Sequence, residues 1–257
     1  MEVVGLWRYP VKSLQGERID AASVVGDGIE GDRHWGIRDE GTGRILTARR
    51  RPELLRATAS YDDEDLPVIT LPGGAVLVGP GAETDRGLSA WLGSPVSLVS
   101  AEGWAGRAEF FEDATDDRSQ AVEWTMPEGR FVDAAPILVL TTSSLRTGTA
   151  LYPDGTWETR RFRPNVLLEV AGEGWVEDGW IGRTLRLGSA ELAPAEPCVR
   201  CTMVTRSQPG LDPDVDIFRT LARHHRGHFG VWSTVAATGV VSIGDRAILA
   251  PAAPVLP

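Results

Sequence analysis

The two cysteines of the 257-residue chain stand together in Pro197-Cys198-Val199-Arg200-Cys201. Thiols three residues apart cannot staple a domain of this length, so a disulfide framework is excluded and their value is chemical. A thiolate is both a nucleophile and a soft metal ligand. Arg200 beside Cys201 supplies a positive charge expected to depress the thiol's pKa. A Cys–His nucleophile needs a matching histidine and an orienting group, and the four histidines form no such signature. Cys198 and Cys201 could join His224 and His228 in a Cys2His2 zinc site, but the intervening stretch is longer than zinc-finger spacing. Histidines at a helix C-terminus, favoured there by the macrodipole, are the simpler account. Spacing alone leaves nucleophile and metal ligand both open. Cationic and donor groups gather near other turns, in Lys12-Ser13, Asp32-Arg33 and Arg161-Phe162-Arg163-Pro164-Asn165. Lys12 is the one lysine; every other basic residue is arginine. Lys and Arg clamp phosphate, and Asn offers a donor and an acceptor to a heterocycle edge. Beside a lone thiol pair, these groups point to an anionic organic cofactor held next to a thiolate.

Composition narrows the rest. With 36 acidic against 26 basic residues the formal net charge is −10, which argues against a nucleic-acid binder, since that function needs a basic face, but does not forbid a local basic pocket. Gly26-Asp27-Gly28-Ile29-Glu30-Gly31 fits the dinucleotide fingerprint G-x-G-x-x-G. The residues after it, Asp32 to Ile37, have strand character instead of opening a helix, and the loop's own carboxylates repel phosphate. A tight turn between strands is expected there. A 42% apolar and 24% charged content is that of an ordinary globular protein. Neither a signal peptide nor an apolar run long enough to span a membrane is evident, so a soluble cytoplasmic protein is expected.

Elements to position these groups follow from periodicity and turn signals. The 29 Gly and 17 Pro favour many turns, hence strands. Short apolar runs predict strands at 2–9, 66–71, 75–79, 95–99, 136–141, 164–170, 184–187, 229–236 and 240–249. Helices are expected over 85–92 behind a Thr84 cap, from Ser143 or Ser144 to before Gly148, and over 213–225. In the last, Asp212 is the N-cap and Ile217, Phe218 and Leu221 form the apolar face. The polar stretch 101–130 marks a junction, dividing an N-terminal part, 1–100, from a C-terminal part, 101–257. The expected fold is mainly β with a few helices (α+β), barrel-like and without parallel βαβ alternation.

Taken in order, the motifs resemble those of the MOSC superfamily, the domain at the C-terminus of molybdenum-cofactor sulfurases. The pattern is most similar to the mitochondrial amidoxime-reducing component and its bacterial relatives. The matching pieces are Tyr9-Pro-Val-Lys-Ser13, Gly31-Asp-Arg33, Leu46-Thr-Ala-Arg49, Phe131-x-Asp133-x-x-Pro136, Arg161-Phe-Arg-Pro-Asn165 and Pro197-Cys-x-Arg-Cys201, closed by Phe229-Gly230 and Val241-x-Ile-Gly-Asp245. The resemblance spans nearly the whole chain and implies a MOSC-type β-barrel with an N-terminal β-barrel-like domain. It also implies molybdenum cofactor (molybdopterin) with Cys201, the second cysteine, as metal ligand. Lys12, Ser13, Arg33, Arg163 and Asn165 match the groups that hold phosphate and pterin, with Arg200 alongside. Asp133 matches a position near the metal, suited to proton delivery or substrate orientation. The activity implied is two-electron reduction of N-hydroxylated small molecules, giving an amine or amidine plus water. The alternative is a carrier of cofactor or sulfur without turnover of its own. Where relatives often continue Thr-Thr-Val-Asp-Pro, this chain has Thr202-Met203-Val204-Thr205-Arg206-Ser207, and Ala134 and Ala135 follow Asp133 in place of hydroxyl residues. No cysteine follows Cys201, so electrons are expected from a separate protein of ferredoxin or haem type.

Overall fold

The Val-, Leu- and Ile-rich runs become strands because branched apolar side chains suit a half-buried pleated surface. The computed structural model describes residues 1–104, 107–111, 121–125 and 129–251. In chain order these contain β1 (Glu2–Arg8), β2 (Glu17–Arg18), β3 (Ala21–Val25), β4 (Gly28–Ile29), β5 (Trp35–Asp39), β6 (Thr58–Tyr61), β7 (Pro67–Thr70), β8 (Val76–Val78), α1 (Ala82–Leu92), β9 (Val96–Ser100), β10 (Arg107–Phe111) and β11 (Ala121–Thr125). There follow β12 (Ile137–Thr141), α2 (Thr142–Leu151), α3 (Thr159–Phe162), β13 (Val166–Glu169), β14 (Leu185–Leu187), β15 (Ala190–Val199), α4 (Val215–His225), β16 (His228–Ala237), β17 (Gly239–Ser242) and β18 (Ala247–Leu249). The fold is mainly β. Eight strands in the order β18-β14-β15-β16-β12-β13-β1-β2 curl into a half-barrel, and smaller sheets gather the remaining N-terminal strands. No helix among the described residues is long and apolar enough to cross a membrane.

The half-barrel closes on a core that includes Val3, Leu6, Val139, Val166, Leu168, Leu185, Leu192 and Val231. A second core, with Leu14, Ile37, Leu54, Leu55, Ile69, Leu88 and Val96, lies among the N-terminal sheets and α1. The chain's first strand belongs to the large sheet: β1 pairs antiparallel with β13, and Val3 N–H donates to Asp245 O at 2.9 Å. From β1 the chain runs through Tyr9–Gln15 into the N-terminal sheets. It is tied there by Lys12 N–H to Trp35 O at 2.8 Å and Gln15 N–H to Ala57 O at 2.9 Å. That crossing segment carries Lys12 and Ser13.

Several expectations are corrected. β12 and β13 pair in parallel, with α2 and α3 between them, so one βαβ-type crossover is present. Thr84 lies inside α1, donating its hydroxyl to Gly79 O at 2.7 Å, and Gly81 holds the N-cap place. α2 runs through Gly148 to Leu151. Glycine is required there because a Cβ would fall 2.4 Å from the Trp157 ring. The N-cap of α4 is Asp214, whose carboxylate accepts from Asp216 N–H at 3.0 Å; Asp212 lies outside the helix. Ile217, Phe218 and Leu221 are buried on its inner face. The run 240–249 divides into β17 and β18 at Gly244, whose φ is +88°. The G-x-G-x-x-G segment forms the β3–β4 hairpin, with Val25 opposite Gly28. Of the polar stretch 101–130, residues 105, 106, 112–120 and 126–128 lie outside the described residues.

Candidate active site

A cavity of about 200 Å³ opens where the Tyr9–Gln15 crossing, the α3–β13 corner and the end of β15 meet. Its lining includes Lys12, Ser13, Arg33, Asp133, Arg163, Asn165, Arg200 and Cys201, so the residues singled out by sequence stand around one space. Arg49 and Arg161 add to its cations, while Asp133 is the one carboxylate in the lining among the described residues. In a chain of net charge −10 this concentration of positive charge selects anions.

The backbone is bent to build it. Ser13, Arg33 and Arg163 have φ of 70°, 55° and 55°, three of the five non-glycine residues in the left-handed region among those described. Such residues cost roughly 1–2 kcal/mol each and cluster at functional sites. Arg163 is the left-handed cap that ends α3, turning its side chain towards the crossing segment, where Nη1 donates to Leu14 O at 2.5 Å. Burial lowers its pKa to about 10. Arg33 is held by the wholly buried Asp32, which also accepts from Tyr9 N–H at 2.8 Å.

Tyr9 lies between the two guanidiniums, its ring 4.3 Å from Arg163 and 4.9 Å from Arg33, and its hydroxyl donates to Pro164 O at 3.0 Å. Burial raises its pKa to about 12 against the pull of Arg163 and Arg33. A folded-state pKa above the unfolded value stabilises the fold below pH 10, and that share is lost as pH rises through 12. Tyr9→Phe is therefore expected to flatten the fall in stability between pH 10 and 12 by about 2–3 kcal/mol, measured by urea melts. Parallel curves for the two proteins would refute it.

Lys12 is 6% exposed at its side chain and reaches Asp133 Oδ1 at 2.5 Å and Phe131 O at 3.0 Å. Asp133 opens outward, 68% exposed. The surrounding walls act to raise its pKa, but Lys12, then Arg33 and Arg163, outweigh them and hold the carboxyl below its usual range. It is a carboxylate at neutral pH, an acceptor and not a proton donor. Ser13 Oγ accepts from Ala48 N–H at 3.0 Å. Asn165 is fully buried, its Oδ1 taking Leu138 N–H at 3.1 Å and its Nδ2 reaching Trp7 O at 3.3 Å, so it ties β12 to β1 beneath the cavity.

The expectation of a thiolate favoured by Arg200 is overturned. Arg200 directs Nη1 to Cys198 Sγ at 2.9 Å and Nη2 to Phe162 O at 2.8 Å, not to Cys201. Burial raises the pKa of both thiols and outweighs the arginines nearby. Cys201 begins the 3-10 turn Thr202–Thr205, which Arg161 pins from below through Val204 O, Arg206 O and Asp212 O. The histidines stand elsewhere. His225 stacks on Trp175 at 4.4 Å and bridges Asp178 and His228 O. Among the described residues no three His, Cys, Asp or Glu side chains gather to hold a metal ion.

Residues 1–114 match the MOSC N-terminal beta barrel domain, and residues 127–247 match the MOSC domain. The chain is a MOSC protein. It is 23% identical over 285 residues to mitochondrial amidoxime reducing component 2 of Bos taurus, covering 93% of this chain and 80% of that one. It is 24% identical over 234 residues to the molybdenum cofactor sulfurase of Oryza sativa subsp. japonica, covering 78% of this chain and 28% of that protein. The crystal structure of the YUAD protein from Bacillus subtilis is similar at 16% identity and a TM-score of 0.47, covering 95% of this chain and 92% of that one.

The supports of the cavity in this MOSC protein carry little signal in the sequence. Tyr9 and Arg49 stand in quoted motifs without a role of their own, and Arg161 was grouped with the phosphate clamp although its bonds go to three carbonyl-bearing loops. Trp232 and Met203, also in the lining, carry no motif signal.

Proposed function

We propose that this MOSC protein holds molybdenum cofactor in the cavity and reduces N-hydroxylated small molecules, with electrons from a separate donor protein. One observation carries the proposal: a cysteine thiol shares a 200 Å³ space with Lys12, Arg33, Arg163 and Arg200. A cofactor that joins a phosphate to a sulfur-ligated metal asks for that combination of groups. The donor set also has capacity left. Arg200 Nε is buried without a hydrogen-bond partner, and Arg163 is a buried guanidinium whose hydrogen bond goes to a carbonyl instead of a carboxylate.

Cys201 would ligate the metal, and Lys12, Arg33 and Arg163 would hold the phosphate, with Ser13 and Asn165 shaping the walls. The bound cofactor supplies two electrons to break the N–O bond, the oxygen leaving as water with two protons. The chain's own residues do the rest. Val132, Leu138, Phe162 and Trp232 line the space with apolar surface, which lowers the local dielectric and strengthens each charge contact. Asp133, kept ionised, accepts a hydrogen bond from substrate N–H or O–H and orients it. Water at the open mouth delivers the protons. The relationship to amidoxime reducing component 2 supports the substrate class.

Protein purified from a host that makes the cofactor is expected to contain molybdenum and pterin near stoichiometry, and to reduce benzamidoxime with a chemical electron donor. Molybdenum and pterin without turnover would favour a carrier. Neither metal nor pterin would overturn the proposal.

A further inference from the structure

The proposed phosphate clamp is paired with an anion of the chain's own, Asp133. Lys12 Nζ, almost wholly buried, makes an ion pair with Asp133 Oδ1 at 2.5 Å, and the charges of Arg33 and Arg163 act on the same carboxylate. These are the cations proposed to receive phosphate. A buried ammonium left unpaired is costly, so an internal carboxylate stabilises the clamp while no ligand is bound. The pair is asymmetric, however. Lys12 is fixed in the wall by Phe131 O at 3.0 Å, whereas the Asp133 side chain is 68% exposed.

The neighbouring backbone makes release local. Phe131 is buried, with its N–H on Arg33 O at 2.8 Å, and Arg130 beside it grips Asp27, Ile29 O and Asp32 O. Two residues later the chain is exposed at Asp133 and Ala134. A rotation of the Asp133 side chain is enough to move its carboxylate into solvent, and Lys12 keeps a carbonyl partner when it goes. A phosphate monoester carries about −1.5 to −2 at neutral pH, against −1 for the carboxylate it replaces, so the exchange gains charge complementarity.

We infer that Asp133 is the clamp's resident counter-anion, displaced from Lys12 by an incoming phosphate group and thereby freed to face the substrate. The inference rests on the proposed anion clamp and deepens it: the site exchanges one anion for another and sets the affinity by competition. Removing the carboxylate should therefore tighten anion binding, the opposite of what a residue that merely shapes the site would do.

The test is calorimetric titration of the full-length, cofactor-free protein with pyrophosphate. Asp133→Asn is expected to bind about tenfold tighter than wild type, and Asp133→Glu about as wild type, since one like charge at contact range is worth that order. Lys12→Met is expected to bind about tenfold weaker or worse. Thermal melts of each variant show that it is folded. Equal or weaker binding by folded Asp133→Asn overturns the inference, as does pyrophosphate binding by Lys12→Met at wild-type affinity. Should Asp133→Asn fail to fold, Asp133→Ser takes its place with the same expected tightening. Tighter binding in a protein that acquires no molybdenum from a competent host would overturn the cofactor proposal and leave this one standing.

Discussion

Replacing Cys201 by alanine is expected to lower benzamidoxime reduction by more than about 100-fold, while Cys198→Ala stays within about tenfold of wild type. Groups that only support a metal ligand typically cost 10–100-fold when removed, and a direct ligand exceeds them. The two thiols differ in place. Cys198 is buried at 2% exposure within β15, and its sulfur accepts the Arg200 guanidinium at 2.9 Å. Cys201 is past the strand's end, half-buried and at the start of the 3-10 turn. Removing Cys198 frees one guanidinium nitrogen, while the other keeps Phe162 O at 2.8 Å. Removing Cys201 takes away the sulfur that no neighbouring side chain replaces, since the other thiol is engaged with Arg200. The raised pKa of Cys201 gives this a further consequence: ligation must displace its proton, so metal uptake releases acid and is favoured by higher pH. Equal losses in the two variants, measured alongside molybdenum content, would sink the assignment of Cys201 as ligand.

Residue types were legible in the sequence where chemistry demands a type and spacing, and illegible where long-range packing decides. Lys12, Arg33, Arg163 and Cys201 could be grouped because cations and thiols at turns are unusual. Their partners could not be read. Arg200 is adjacent to Cys201 in the chain, yet its fork reaches back to Cys198 because Phe162 O fixes the other nitrogen. The strand β15 was missed because Pro194 and Pro197 interrupt it. The structure accommodates them at register shifts, between Pro194 and Glu196 and between Pro197 and Val199, where a ladder hydrogen bond is not required. The parallel β12–β13 pair was hidden for a different reason. Its crossover contains a helix of ten residues opening on Thr-Ser-Ser and another of four, neither with a strong apolar stripe. α4, by contrast, was legible to within two residues, because Ile217, Phe218 and Leu221 set its face and Asp214 competes with Asp212 only at the cap. Asp212 lies two residues before that cap, with its carbonyl accepting from Arg161 at 2.7 Å.

Phe162→Ala is expected to destabilise the fold by about 3–5 kcal/mol and to weaken anion binding with it. Phe162 is wholly buried and is the centre of an aromatic cluster, 4.3 Å from the Phe229 ring and 5.8 Å from that of Trp157. Those rings join Leu140, Ile217 and Leu221 in the core between α4 and the large sheet, so a truncated side chain leaves a cavity that rigid neighbours cannot fill. Its position couples that core to the site. Arg161 precedes it and pins the turn after Cys201, Arg163 follows it as the left-handed cap, and its own carbonyl holds Arg200 at 2.8 Å. A loosened Phe162 therefore releases three of the cavity's guanidiniums from their geometry at once. For a chain of this length the melting temperature should fall by roughly 10 °C, at about 2–4 °C per kcal/mol. Pyrophosphate affinity should fall at 10 °C, where the variant is still folded. Phe162→Leu, which keeps most of the volume, is expected to recover more than half of the stability and most of the binding. Val240→Ala, at an exposed strand position, should shift stability by less than about 0.5 kcal/mol. If Phe162→Ala melts low yet binds pyrophosphate as wild type does, the aromatic core supports the fold without holding the clamp in place.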